Sequence, residues 1–73
     1  MFNTQLLIKT CSGSLIDTLE VGSYKTLKAA YNKALLKGSQ VEQNYSIWSN
    51  QEIRVNGKEC YENMDDKIVL KSK

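Results

Sequence analysis

Few side chains in this sequence could do chemistry. The 73 residues contain no histidine, so neither a Ser/His/Asp nor a Cys/His nucleophile can be assembled. The commonest general base and the commonest metal ligand are missing together. Cys11 and Cys60 are too far apart for a Cys-x-x-Cys site and too few for a disulfide scaffold. Both read as small buried hydrophobes. Asp65 and Asp66 are adjacent carboxylates, but neighbours in a tight turn point apart and share no cleft, so they read as turn residues. The acidic stretch from Glu59 to Asp66 lacks the alternating ligand spacing of a calcium loop. Gly57-Lys58 lacks the rest of a phosphate loop, and Ser12-Gly13-Ser14 is a turn. Asn44-Tyr45-Ser46 has the form of a glycosylation sequon, which is idle without secretion. These residues predict no enzyme, no cofactor and no metal.

What remains is binding, and composition narrows it. With 41% apolar and 25% charged residues the chain has ordinary globular composition rather than that of a disordered segment. Its length suits one small domain with a thin core. A net charge of +2 neither demands nor forbids a nucleic-acid partner. The charges are segregated, however: Lys25, Lys28, Lys33 and Lys37 have no acid among them, whereas Glu59, Glu62, Asp65 and Asp66 cluster later. The longest early apolar run is Leu6-Leu7-Ile8, far short of a signal peptide or a membrane span, so a cytoplasmic location is expected and no membrane partner. Nine lysines to one arginine, with six asparagines, suggest an AT-rich genome such as that of a low-GC bacterium or its phage.

Local patterns place these residues on elements. Gln5–Thr10 and Leu15–Val21 read as a hairpin across Ser12-Gly13. A two-residue loop there sets Leu6 opposite Leu19 and Thr4 opposite Val21. Residues 23–37 read as a helix, capped by Ser23 and ended by Gly38. Its apolar stripe is Tyr24, Leu27, Ala30, Tyr31, Ala34 and Leu35, with Lys25 and Lys33 opposite, Lys28 and Lys37 on the flanks, and Leu36 exposed. Tyr45–Trp48 reads as a short strand broken at Ser49-Asn50. Glu52–Val55 follows as another, turning through Asn56-Gly57 so that Arg54 faces Glu59 as an ion pair and Ile53 faces Cys60. After a turn at Asn63–Asp66, Lys67–Lys71 is the last strand.

The order is thus ββαβββ, an α+β chain. The most continuously apolar strands are the first and the last, which predicts that they lie side by side, parallel, at the centre of a mixed sheet with the helix on one face. That is a β-grasp arrangement. Leu6-Leu7-Ile8-Lys9-Thr10, Ser12-Gly13 and Leu19-Glu20-Val21 resemble the opening hairpin of the ubiquitin-like superfamily, and the closing Ile68-Val69-Leu70 strand is similar too. The resemblance implies the fold and a habit of binding partners through the open sheet face. The Gly-Gly ending of the conjugated members is replaced by Lys71-Ser72-Lys73, so conjugation and sulfur transfer are not implied.

On this arrangement Leu6, Ile8, Leu19, Val21, Ile68 and Leu70 face the helix. Leu7, Ile16 and Val69 then face outward together with one of Ile47 and Trp48. The expected partner site is therefore Leu7, Ile16, Trp48 and Val69, with Leu7 and Val69 adjacent on central strands. The expected role is a regulator, adaptor or inhibitor that binds a protein. The alternative is a nucleic-acid-binding module that sets Lys25, Lys28, Lys33 and Lys37 on phosphates and Tyr45 or Trp48 on bases.

Overall fold

A computed structural model describes residues 1–71; Ser72 and Lys73, on which the reading of the chain ending rests, lie outside the described residues. The elements are β1 (Phe2–Thr10), β2 (Leu15–Tyr24), α1 (Leu27–Val41), one 3-10 turn (Glu42–Asn44), β3 (Ser49–Val55), β4 (Lys58–Glu62) and β5 (Ile68–Leu70). The five strands form one antiparallel sheet in the order β2-β1-β3-β4-β5, and the helix covers one face. The element order ββαβββ is as expected, although Tyr45–Trp48 is not a strand and Ser49-Asn50, expected as a break, opens β3. The predicted strand placement is not formed, because β5 pairs with β4 at the far edge and β1 takes β3, not β5, as its second neighbour. Strand length gives the reason. A nine-residue central strand needs a long partner to satisfy its backbone groups on the second side. Seven-residue β3 pairs with β1 from Thr4↔Val55 to Thr10↔Ser49, while β5 has only three residues to offer.

The opening hairpin holds the expected Leu6↔Leu19 pair, but two extra residues in β2 shift its ends. Between Gln5↔Glu20 and Thr4↔Gly22 lies Val21, so Thr4 opposes Gly22 rather than Val21. Between Ile8↔Asp17 and Lys9↔Leu15 lies Ile16. Each is a bulge that bends and twists the strand. The loop has three residues, not two: Gly13 N–H donates to Thr10 O at 2.9 Å and Thr10 N–H to Ser14 O at 2.8 Å. At the second hairpin Asn56 and Gly57 take φ of 52° and 80°, as a two-residue turn matching the sheet's twist requires.

The helix starts later than its sequence suggests. Thr26, not Ser23, is the N-cap, its hydroxyl accepting from Ala29 N–H at 3.1 Å. Ser23 is still in β2, opposite Asn3, whose side-chain oxygen accepts from its hydroxyl. Gly38 does not end the helix; it lies inside it, buried, where its missing side chain admits the end of Gln51. Gln51 Nε2 donates to Gly38 O at 3.1 Å. Ala30, Ala34 and Gly38, spaced four apart, make the buried line and bring the helix backbone close to the sheet. Leu27, Tyr31 and Val41 flank it. Leu35, expected in the stripe, is turned outward because this row of small residues sets the line of closest approach; Leu36 is exposed as expected. The core consists of Leu6, Ile8, Ala30, Ala34, Ile53, Val55 and Cys60, with Leu19, Val21, Ile68 and Leu70 packed against it.

Candidate protein-interaction surface

Cross-strand partners in an antiparallel sheet share a face, which locates the open side residue by residue. Leu7 pairs with Thr18 on one side and Glu52 on the other; Gln5 pairs with Glu20 and Arg54; Lys9 pairs with Leu15 and Asn50. The middle of this face is charged. Glu52 takes Lys9 Nζ at 2.8 Å on one oxygen and Arg54 Nε at 2.5 Å on the other. Partial burial pushes the Glu52 carboxyl upward, but hydrogen bonds from Lys9 and Arg54, and their charges, outweigh it and hold the group below its usual range. Arg54 opposes Glu59 in register as expected, yet its ion pair is with Glu52; Glu59 is 3.9 Å from Lys71 Nζ. Val69 pairs with Tyr61 at the far edge. Leu7 and Val69, both half-buried, are thus separated by β3 and β4, and the expected patch joining them is not formed.

Four of the exposed large apolar residues, Leu15, Ile16, Ile47 and Trp48, lie instead at one end of the sheet, while Leu35 and Leu36 are on the helix and Met1, Tyr61 and Met64 elsewhere. Ser46-Ile47-Trp48-Ser49 is a turn rather than the second half of a strand, and it presents both apolar residues to solvent. Ile47 is 90% exposed and Trp48 71%. The turn is held by Ser49 N–H and Ser49 Oγ, both donating to Ser46 O at 2.9 and 2.6 Å, and by Trp48 N–H donating to Ser46 Oγ at 3.1 Å. Ser49 pairs with Thr10 beside the β1–β2 loop, so Leu15 and Ile16, also exposed, lie at this same end. Tyr45 anchors the turn: its ring packs against the core and its hydroxyl donates to Asp17 Oδ2 at 2.9 Å. That hydrogen bond, with desolvation and the Asp17 charge, raises the Tyr45 hydroxyl above its ordinary value. Of the four expected site residues the structure brings Ile16 and Trp48 to one end, with Leu7 in mid-sheet and Val69 at the far edge. Ile47, expected only as the alternative to Trp48, and Leu15, which was missed, are exposed there as well; the Ser46–Ser49 spacing around Ile47-Trp48 is the sequence signal that could have marked a turn.

A second feature opens within the sheet. The β3–β4 pairs are Val55↔Lys58 and Arg54↔Glu59, beside the Asn56-Gly57 turn, and pairing stops there. Beyond it lies a cleft of about 340 Å³ lined by Leu6, Ala34, Ile53 and Cys60 within and Lys9 and Glu52 at the rim. Cys60 is buried here, and desolvation pushes its thiol upward. A neighbouring cleft of about 670 Å³ continues along Ser49, Asn50 and Gln51 to Tyr45 and Ile47.

The lysines do not form one stripe. Lys25 precedes the helix, Lys28 and Lys33 are exposed on it, and Lys37 is half-buried. Nine residues, about two and a half turns, set Lys28 and Lys37 on opposite flanks. Among the described residues no three cysteine or carboxylate side chains come together as a metal-ligand group, and no helix is long and apolar enough to cross a membrane. Compared with known protein families, curated proteins and solved structures, the chain matches none.

Proposed function

We propose that the chain is a non-catalytic protein-interaction module, a regulator, adaptor or inhibitor acting on a cytoplasmic partner through the apolar end of its sheet. The supporting observation is the exposure of Ile47 and Trp48 on a turn fixed by three hydrogen bonds. A fixed turn loses little conformational freedom on binding, and tryptophan is among the strongest interface anchors. Leu15 and Ile16 enlarge the surface beyond a lone exposed side chain. The likeness to ubiquitin-like proteins supports this reading through the order of elements; the strand pairing differs. The divided lysines favour a nucleic-acid partner less.

The test is capture from host extract with Trp48→Ala and Ile47→Ser alongside the parent. A stoichiometric partner held by the parent and lost by both variants, at unchanged thermal midpoints, is expected. Retention dominated by nucleic acid, and abolished steeply by salt, would overturn the proposal in favour of phosphate binding.

A further inference from the structure

From the interrupted pairing of β3 we infer a second site, a slot that receives one extended peptide segment as an added strand. Asn56 N–H donates to Asn3 O. Backbone groups alternate sides along an antiparallel strand, so residues 54, 52 and 50 bond β1 while 53, 51 and 49 turn toward β4. On that side no strand among the described residues pairs with Gln51, and β4 lies across the cleft. Gln51 offers both an N–H and a C=O, Ile53 adds an N–H and Ser49 a C=O, whereas Ser49 N–H is already taken by Ser46. The two clefts meet along this stretch, sharing Asn50 and Gln51. Five residues of strand span roughly 17 Å, room for a short extended segment.

The slot selects its occupant. It is bounded in the plane of the sheet by β3 and β4, which remain joined at the Asn56-Gly57 turn. A strand from the edge of a folded sheet carries a neighbour in that same plane, which β4 would obstruct. A second copy of this chain is excluded on that ground, and an isolated extended segment of another protein fits. Side chains of that segment alternate between two environments. One set meets Ala34, Leu35, Tyr31 and Cys60 and calls for small apolar residues; the other meets the Lys9–Glu52 pair and calls for polar ones.

The site adjoins the Ile47-Trp48 turn but leaves Trp48 outside its lining, so substitution there separates the two. Synthetic heptapeptides selected from a random displayed library against the intact chain serve as probes. Gln51→Pro removes the side chain, with its hydrogen bond to Gly38 O, and an N–H that faces away from β1, where proline is tolerated; Gln51→Ala removes the same side chain and keeps the N–H, so the two compared isolate the backbone donor. Selected peptides are expected to bind the parent, Gln51→Ala and Trp48→Ala alike, and to lose at least about tenfold affinity for Gln51→Pro. Should Gln51→Pro not fold, amide exchange in the parent decides: peptide should slow Gln51 and Ile53 and leave Asn50 and Glu52 unchanged. A library that yields no binder, equal affinity for a folded Gln51→Pro, or protection confined to β2 would overturn the inference. So would protection of Gln51 and Ile53 that rises with chain concentration alone, which would make the occupant a second copy.

Discussion

Glu52 shows how one side chain can hold a sheet face together. It sits between Lys9 and Arg54, with a fifth of its side chain exposed (19%), and its carboxyl is held below the usual range. A depressed folded pKa contributes stability above the unfolded carboxylate value, about 4.3, and that contribution is lost as pH falls through the lower folded value. Glu52→Gln should therefore cost about 1 kcal/mol near neutral pH, and the difference should shrink on acidification. Urea midpoints of parent and variant between about pH 7 and pH 3 check this; a gap that widened toward acid would contradict the ion-pair account. At Asp66 the local rule is broken differently. Its φ is +60°, in a turn where Asn63 Oδ1 accepts from Asp65 and Lys67 N–H at 3.0 Å each. Asp66→Gly should relieve the left-handed backbone and raise stability by roughly 0.5 kcal/mol, read as a higher urea midpoint.

Among the elements, the helix separates what local sequence can say from what it cannot. Thr26→Ala should cost about 1 kcal/mol by removing the cap, and Ser23→Ala distinctly less, as a pair of denaturation curves will show. Both Ser23 and Thr26 are good caps by residue type. The choice was made by Phe2↔Tyr24 pairing, which keeps residue 23 in the strand and is invisible to a helical pattern. Gly38 tells the same story. As a terminator it is plausible from sequence, yet it serves close approach to Gln51, a contact thirteen residues away. Gly38→Ala made together with Gln51→Ala should stabilise by up to about 1 kcal/mol over Gln51→Ala alone, because the obstruction is gone and helix propensity remains. By contrast the Asn56-Gly57 turn was legible from two adjacent residues, whereas the expected Leu6↔Leu19 pair is met because the extra loop residue is offset by the bulge at Ile16. The β1–β3 partnership was not, because apolar content marks burial without saying which strand is long enough to complete the ladder. Ile47 and Trp48 were legible as binding residues by type but not by place, since β-formers at a turn look like a strand.

Taken whole, the molecule has a small core and, at one end of the sheet, an exposed group of Leu15, Ile16, Ile47 and Trp48, and charge substitution should tell the two apart. Ile8 is fully buried, so Ile8→Lys places an unpaired charge in the interior at a cost of several kcal/mol and should unfold the chain. Trp48→Lys should keep its native circular dichroism and melting temperature while losing the partner. An unfolded Trp48→Lys would move that residue into the core's account. The bulges at Ile16 and Val21 carry a further consequence for the molecule in company. β2 is the long outer strand, ten residues without proline, the kind of border on which other chains can stack into an endless sheet. Only Asp17 through Glu20 run in regular register between the two irregularities. A twin chain laid antiparallel on those four residues, centred between Thr18 and Leu19, would set Asp17 against Glu20 at both ends, like charge facing like. The same kinks that curve the hairpin around the helix thus leave its border too short and too repulsive to seed polymer growth, and crowding in solution should not lengthen the sheet.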